Sequence, residues 1–212
     1  MEFKIEYKII KSFSFKDKVS GLYDKLYDIT SEIEKTYPSH KNWFYANFIG
    51  NILKNNDGLI VFAKNSENDE ISGVAFINKE IYKLYTLFVN PKYRKMGIAT
   101  KLLQISEKTL GKKPIVTVAE INYPQLKKLF DKNKYILTYK VISYYQKDKV
   151  ELCFNNFSKT KILGNPNTFF ERLETKDEDI IPIYKPKIEY DYQSLFGKVY
   201  EKKFNESYKY KS

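Results

Sequence analysis

The segment "LYTLFVNPKYRKMGIATKLLQISEKTLG", residues 84–111, runs from an apolar strand into an amphipathic helix through a short basic bridge. Leu84 to Val89 read as a strand, while Leu102, Leu103, Ile105 and Leu110 recur on one mostly apolar helical face, closed by Gly111 as a C-cap. The bridge between them holds Arg94, Lys95, Met96, Gly97, Ile98, Ala99 and Thr100. Arginine is scarce here: only Arg94 and Arg172 occur in 212 residues. A chain that uses lysine almost everywhere else places at Arg94 a residue with a rigid, planar fork of donors.

That bridge has the composition of an anion site. The first turn of a helix leaves backbone N–H groups unpaired and carries partial positive charge, so it receives a phosphate without a dedicated side chain. Gly97 and Ala99 keep the bridge small enough for close backbone approach, and Arg94 adds a charge-assisted contact. Thr100 falls in the first helical turn, where its hydroxyl serves either a phosphate or the cap. An ordinary strand-to-helix turn explains the threonine but leaves Arg94, Gly97 and Ala99 without a shared reason.

Working outward, strands and helices mix. "FKIEYKII" at 3–10 alternates like a strand, and "KDKVSGLYDKLYDITSEIEKTY" at 16–37 has apolar residues at helical spacing, predicting one helix stopped by Pro38. A second, aromatic-rich helix is expected over 40–55, ended by the turn "NNDG" at 55–58. Strands over 59–64, 71–79 and 81–89 make an antiparallel meander. After the bridge come a helix over 99–110, a strand over 114–120, a helix over 124–133 and a hairpin over 135–154 that turns at "QKDK". The class is α+β.

Composition limits the function. No stretch reaches the roughly 18 apolar residues of a membrane span, and "MEFKIEYKII" lacks the order of a secretory signal, so a cytoplasmic protein is expected. One cysteine, Cys153, and one histidine, His40, offer no His/Cys metal cluster, and no metal is expected. The formal charge of +11 invites a nucleic-acid partner, yet its lysines are dispersed along the whole chain rather than gathered in a stripe. Nucleic acid is therefore possible but not favoured.

The element order and the bridge together resemble the GNAT superfamily of acetyl-CoA-dependent N-acetyltransferases. The family's cofactor motif, a strand ending in L-x-V-x-P followed by R/Q-x-x-G-x-G/A and a helix, stands here as "LFVNP" at 87–91 and "RKMGIA" at 94–99. The resemblance implies a central mixed, mostly antiparallel twisted sheet flanked by helices, over residues 1–155. It implies that Leu87, Phe88 and Val89 pair with the pantetheine arm, that residues 94–100 hold the pyrophosphate, and that Asn122 and Phe130 also line the acetyl-CoA site.

The later part of the family pattern is less well kept. Where the family often has L-Y-x-x-x-G-F, with a tyrosine that protonates the departing thiolate, this chain has "LFDKNKY" at 129–135, and Phe130 has no proton to donate. Tyr123, Tyr144 and Tyr145 are the substitute phenols, Tyr145 being placed first; Phe130→Tyr is expected to be harmless. Glu120 and Glu80 are candidate bases, with plain solvated surface charge as the competing reading. Trp43, Phe44, Tyr45 and Phe48 read as core; His40 is a candidate cap or pocket residue, although a lone histidine is more often neither. Cys153 reads as partly buried and inert.

Residues 156–212 fall outside the family pattern. Phe169, Phe170, Ile180, Ile181 and Ile183 are too apolar for a disordered tail, so an extension that packs on the core or mediates a homodimer is expected, with a last short helix over 192–204. Three functions follow: an acetyltransferase acting on a primary amine of a small molecule or protein, a toxin-like one acting on aminoacyl-tRNA, and a catalytically impaired acetyl-CoA-binding module.

Overall fold

In the computed structural model, residues 4–146 and 148–156 are described, together with the backbone of 169–172. The chain divides into two compact units, Met1–Pro114 and Ile115–Ser212. The first is built on an antiparallel meander of β1 (Ile5–Ile10), β2 (Gly58–Asn65), β3 (Ile71–Asn78) and β4 (Lys83–Val89), each strand paired with the next. Every residue of β3 is buried, which follows from helices covering both of its faces. One face carries Ile60, Phe62, Val74 and Phe76 against the first helices. The other receives α4 (Ile98–Leu110), which lies so close to Gly73 that a Cβ there would stand 3.0 Å from the Ile98 Cγ2 and 3.2 Å from the Leu102 Cδ1.

The stretch 16–37 is not the single helix its spacing predicts. It breaks into α1 (Phe15–Val19), α2 (Leu22–Thr30) and a 3-10 turn, Ser31–Lys35. Gly21 causes the first break: it sits at φ 71, a left-handed conformation that glycine adopts at no steric cost and that a continuous helix excludes. α2 buries Tyr23, Leu26, Tyr27 and Thr30, so the apolar spacing was correct for this segment.

The aromatic-rich helix forms, but α3 (His40–Asn42) opens into a π-wound segment, Trp43–Leu53. Phe44, Phe48, Ile49, Ile52 and Leu53 are buried along it, and Phe44 and Phe48 pack on Phe76 of β3 with ring centroids 5.1 Å and 5.2 Å away. The two phenylalanines are core, as expected. π-winding is rare and shifts which side chains share a face, a feature that apolar spacing does not reveal.

The second unit contains β5 (Ile115–Ala119), α5 (Tyr123–Lys132), β6 (Leu137–Ile142) and β7 (Val150–Phe154). The predicted hairpin is present, and β7 lies between β5 and β6, antiparallel to both. A further strand, β8 (Phe169–Arg172), pairs antiparallel with the outer edge of β6. Cys153 is fully buried beside Val141 and Tyr144, and so more enclosed than the sequence indicated. The helix expected over 192–204 and the turn residue Lys147 lie outside the described residues. Among the described residues no helix is long and apolar enough to cross a membrane, and no cluster of metal-ligating side chains occurs.

Candidate functional site

The bridge from β4 to α4 is a sequence of short local decisions. Asn90 leaves the strand, and its side chain accepts from the Lys92 backbone N–H at 3.1 Å. Pro91, with its fixed φ and missing N–H, opens a 3-10 turn, Pro91–Tyr93. Tyr93 is fully buried and anchors the turn. Arg94 then returns to extended backbone, Lys95 takes φ 66 and Gly97 φ 78. The two left-handed residues turn the chain sharply just before α4, whose first amides have no intrahelical partner.

Gly97 is the N-cap of α4 and supplies no capping side chain. The first helical bond there is Lys101 N–H to Gly97 O, at 3.0 Å, so the helix presents its earlier amides outward. A Cβ built on Gly97 meets nothing within 4 Å, leaving open space over the start of the helix. Arg94, Lys95, Met96 and Gly97 are exposed, Ala99 and Thr100 are half-buried, and Ile98 is buried as the anchor. The arrangement is suited to a diphosphate, with backbone donors, an open approach and basic side chains at the rim.

Arg94 is held in a definite position. Its Nε donates to the Val89 carbonyl at 3.1 Å, its guanidinium lies 5.8 Å from the centre of the Phe88 ring, and its terminal nitrogen is 3.7 Å from the Glu32 carboxylate. Leu87, Phe88 and Val89 are half-buried at the end of β4, opposite Ala75, Val74 and Gly73 of β3. Earlier in the same strand the register slips: Phe76 pairs with Thr86 and Ile77 with Leu84, leaving Tyr85 as the extra residue of a bulge. Tyr85 turns its ring to Trp43, 5.2 Å away, and burial pushes its hydroxyl pKa up.

Beside this bulge the first helices supply an aromatic wall. Trp43 and Tyr45 are half-buried, and the Tyr45 hydroxyl donates to Asp24 at 2.7 Å. Burial first, and then the Asp24 hydrogen bond, hold that phenol well above its ordinary range. His40 is buried between Tyr27 and Trp43, with its Nε2 3.1 Å from the Thr30 hydroxyl. Burial lowers its pKa against a smaller opposing pull from Glu34. Glu80 is exposed in the turn between β3 and β4.

In the second unit, Glu120 is exposed and begins a 3-10 turn, Glu120–Asn122, directly after β5. Asn122 precedes α5 as its N-cap. Tyr123 opens α5 with its ring 5.5 Å from Phe154. Tyr144 is buried, whereas Tyr145 is 46 % exposed, with its hydroxyl 3.2 Å from the Thr117 hydroxyl of β5. Phe130 is 1 % exposed, stacked on Tyr135 at 5.1 Å and edge-on to Phe154 at 4.7 Å, so it stands in the core of its unit.

Three contributors escaped the sequence reading: Glu70 and Asn65, which hold Tyr93, and Tyr85. Nothing local marks the first two as partners of the bridge. The aromatic run around Tyr85 gave a strand but no hint of the bulge.

Residues 34–136 match the model of the acetyltransferase (GNAT) domain. A chain from Desulfovibrio desulfuricans assigned to the GNAT family of acetyltransferases superposes with a TM-score of 0.54 at 14% identity, covering 71% of this chain and 97% of that one. A chain of the NatC complex bound to Gag peptide and CoA superposes with a TM-score of 0.52 at 15% identity, covering 71% and 96%. At such identities the likeness is one of fold. No curated protein matches the chain. The α+β class, with a mostly antiparallel sheet flanked by helices, is that of the GNAT fold, and residues 34–136 carry the match to its acetyltransferase domain.

Proposed function

We propose that this protein is an acetyl-CoA-dependent N-acetyltransferase acting on a primary amine of a small molecule or protein. The observation that carries the reading is the left-handed turn at Lys95 and Gly97 leading into the uncapped start of α4, with open space over Gly97. Backbone amides of residues 97–100 and the Arg94 guanidinium bind the pyrophosphate, and Leu87–Val89 accompany the pantetheine arm along β4. In the NatC complex it is CoA that accompanies this fold.

The reaction is direct attack in a ternary complex. The amine nitrogen forms its bond to the acetyl carbonyl carbon, the thioester C–S bond breaks, and the sulfur leaves as a thiolate that takes up one proton. The amine gives up a proton in the same turnover. Glu120, exposed at the end of β5, is the base in this reading, acting directly or through water. Tyr145 is the acid, since its hydroxyl is exposed and hydrogen-bonded to Thr117 while Phe130 has none.

We assign the acetyltransferase domain to residues 1–155 and treat 156–212 as an extension, of which 169–172 adds a strand to β6. The test is release of CoA from acetyl-CoA over pooled amines, peptides and charged tRNA, with Gly97→Trp as the inactive control. Turnover with an amine or peptide that barely changes with salt supports the reading. Turnover confined to charged tRNA, falling steeply with salt as counterion release requires, replaces it with an RNA-borne acceptor.

A further inference from the structure

Beyond the contacts of the Arg94 side chain with Val89, Phe88 and Glu32, the bridge is exposed from Arg94 to Gly97. The residues just before it converge on one carboxylate from elsewhere in the unit. Glu70, between the β2–β3 turn and β3, accepts the Tyr93 hydroxyl proton on Oε2 at 2.7 Å and the Lys92 ammonium on the same oxygen at 2.7 Å. Its Oε1 accepts from the Asn90 side-chain amide at 3.4 Å. The Asn65 side-chain amide donates to the Tyr93 hydroxyl at 3.4 Å, and the Asn65 backbone N–H donates to the Glu70 carbonyl at 2.9 Å. The Asn90 backbone N–H reaches the Ser72 carbonyl at 3.0 Å. The hairpin thus grips Asn90, Lys92 and Tyr93, ending one residue before Arg94.

We propose that Glu70 is a positioning residue for acetyl-CoA, holding the Asn90–Tyr93 turn so that Arg94 and the first amides of α4 are preset for the pyrophosphate. The inference rests on the acetyl-CoA reading of the bridge. Hydrogen bonds from Lys92 and then Tyr93 hold the Glu70 carboxyl below its ordinary range, so it is ionised at neutral pH. Charge-assisted bonds of this length are the strong ones, and they act on a tyrosine that is fully buried. Presetting a binding loop removes the cost of ordering it when the ligand arrives. A purely structural Glu70 would affect only the melting temperature.

The experiment is titration calorimetry with acetyl-CoA on wild type, Glu70→Ala, Glu70→Gln and Tyr93→Phe, well below each melting temperature, with amide hydrogen exchange over residues 90–100. Glu70→Ala is expected to weaken acetyl-CoA about tenfold, the equivalent of one charge-assisted hydrogen bond, and to speed exchange in the bridge. Glu70→Gln, which still accepts from Tyr93, is expected to fall between Ala and wild type, and Tyr93→Phe to match it. Affinities within twofold of wild type in all the folded variants, with a lowered melting temperature, overturn the proposal and leave the acetyl-CoA reading standing. Failure of wild type itself to bind acetyl-CoA overturns both.

Discussion

The Arg94 guanidinium faces the Glu32 carboxylate at 3.7 Å, so the bridge's one arginine meets an acidic partner from the turn after α2. Both side chains are about half exposed, at 48% and 46%, and exposed pairs of this kind contribute little to stability. Their effect should appear in binding instead, because Glu32 competes with an incoming phosphate for Arg94. Glu32→Gln is expected to tighten acetyl-CoA by about two- to fivefold, in line with the up to ~1 kcal/mol of such pairs, with little change in melting temperature. Calorimetric titration of the two proteins decides it; weaker binding in Glu32→Gln would show that the carboxylate orients Arg94 rather than competing for it.

Gly97 and Gly73 separate two uses of a missing side chain. At Gly97, φ 78 is the constraint and the space is open, so Gly97→Ala should cost about 1 kcal/mol of stability, whereas Gly97→Trp should fill the phosphate position and abolish stabilisation by acetyl-CoA. At Gly73 the constraint is space: a Cβ would also lie 3.1 Å from the Phe88 carbonyl, so Gly73→Ala should displace α4 and cost about 1–3 kcal/mol. Thermal melts with and without acetyl-CoA distinguish the pair. An undiminished acetyl-CoA shift in Gly97→Trp would remove the bridge from the site.

Tyr145→Phe is expected to lower turnover by about a hundredfold, the low end of what a positioned proton donor contributes, without changing the melting temperature. Tyr144→Phe and Tyr123→Phe serve as comparisons, and a panel in which all three keep full turnover would leave solvent as the proton source. Phe130→Tyr, harmless on sequence grounds, has a different expectation once its packing is known. A hydroxyl added among Tyr135 and Phe154 is desolvated, and the melt should show a loss of about 1–3 kcal/mol.

His40 is the chain's only histidine, so titration between pH 5 and 7 isolates it. Burial lowers its folded pKa below the ordinary 6.5, which means that below pH 6.5 the unfolded chain binds the proton more readily than the folded one. Stability is therefore fully present above pH 6.5 and is lost as pH falls from there toward the folded pKa. His40→Gln should flatten the melting temperature over that window, leaving the lower-pH losses of carboxylates such as Glu70 in place. An equal slope in wild type and variant would assign the effect elsewhere.

Sequence by itself determined whatever is decided within a few neighbouring residues. The bridge from Arg94 to Thr100 was legible because a left-handed glycine, an uncapped helix start and an arginine among lysines are local features, and the meander and the α4 C-cap at Gly111 followed from spacing and turn chemistry. Even locally, the single helix over 16–37 failed, because apolar spacing continues through Gly21 although the backbone there does not. Only the tertiary structure could join Glu70 to Tyr93 across 23 residues, since a carboxylate in a polar turn carries no mark of its partner. It also decided the bulge at Tyr85, the π-winding after Asn42 and the burial of Phe130, because each depends on which side chains from distant strands and helices compete for the same space.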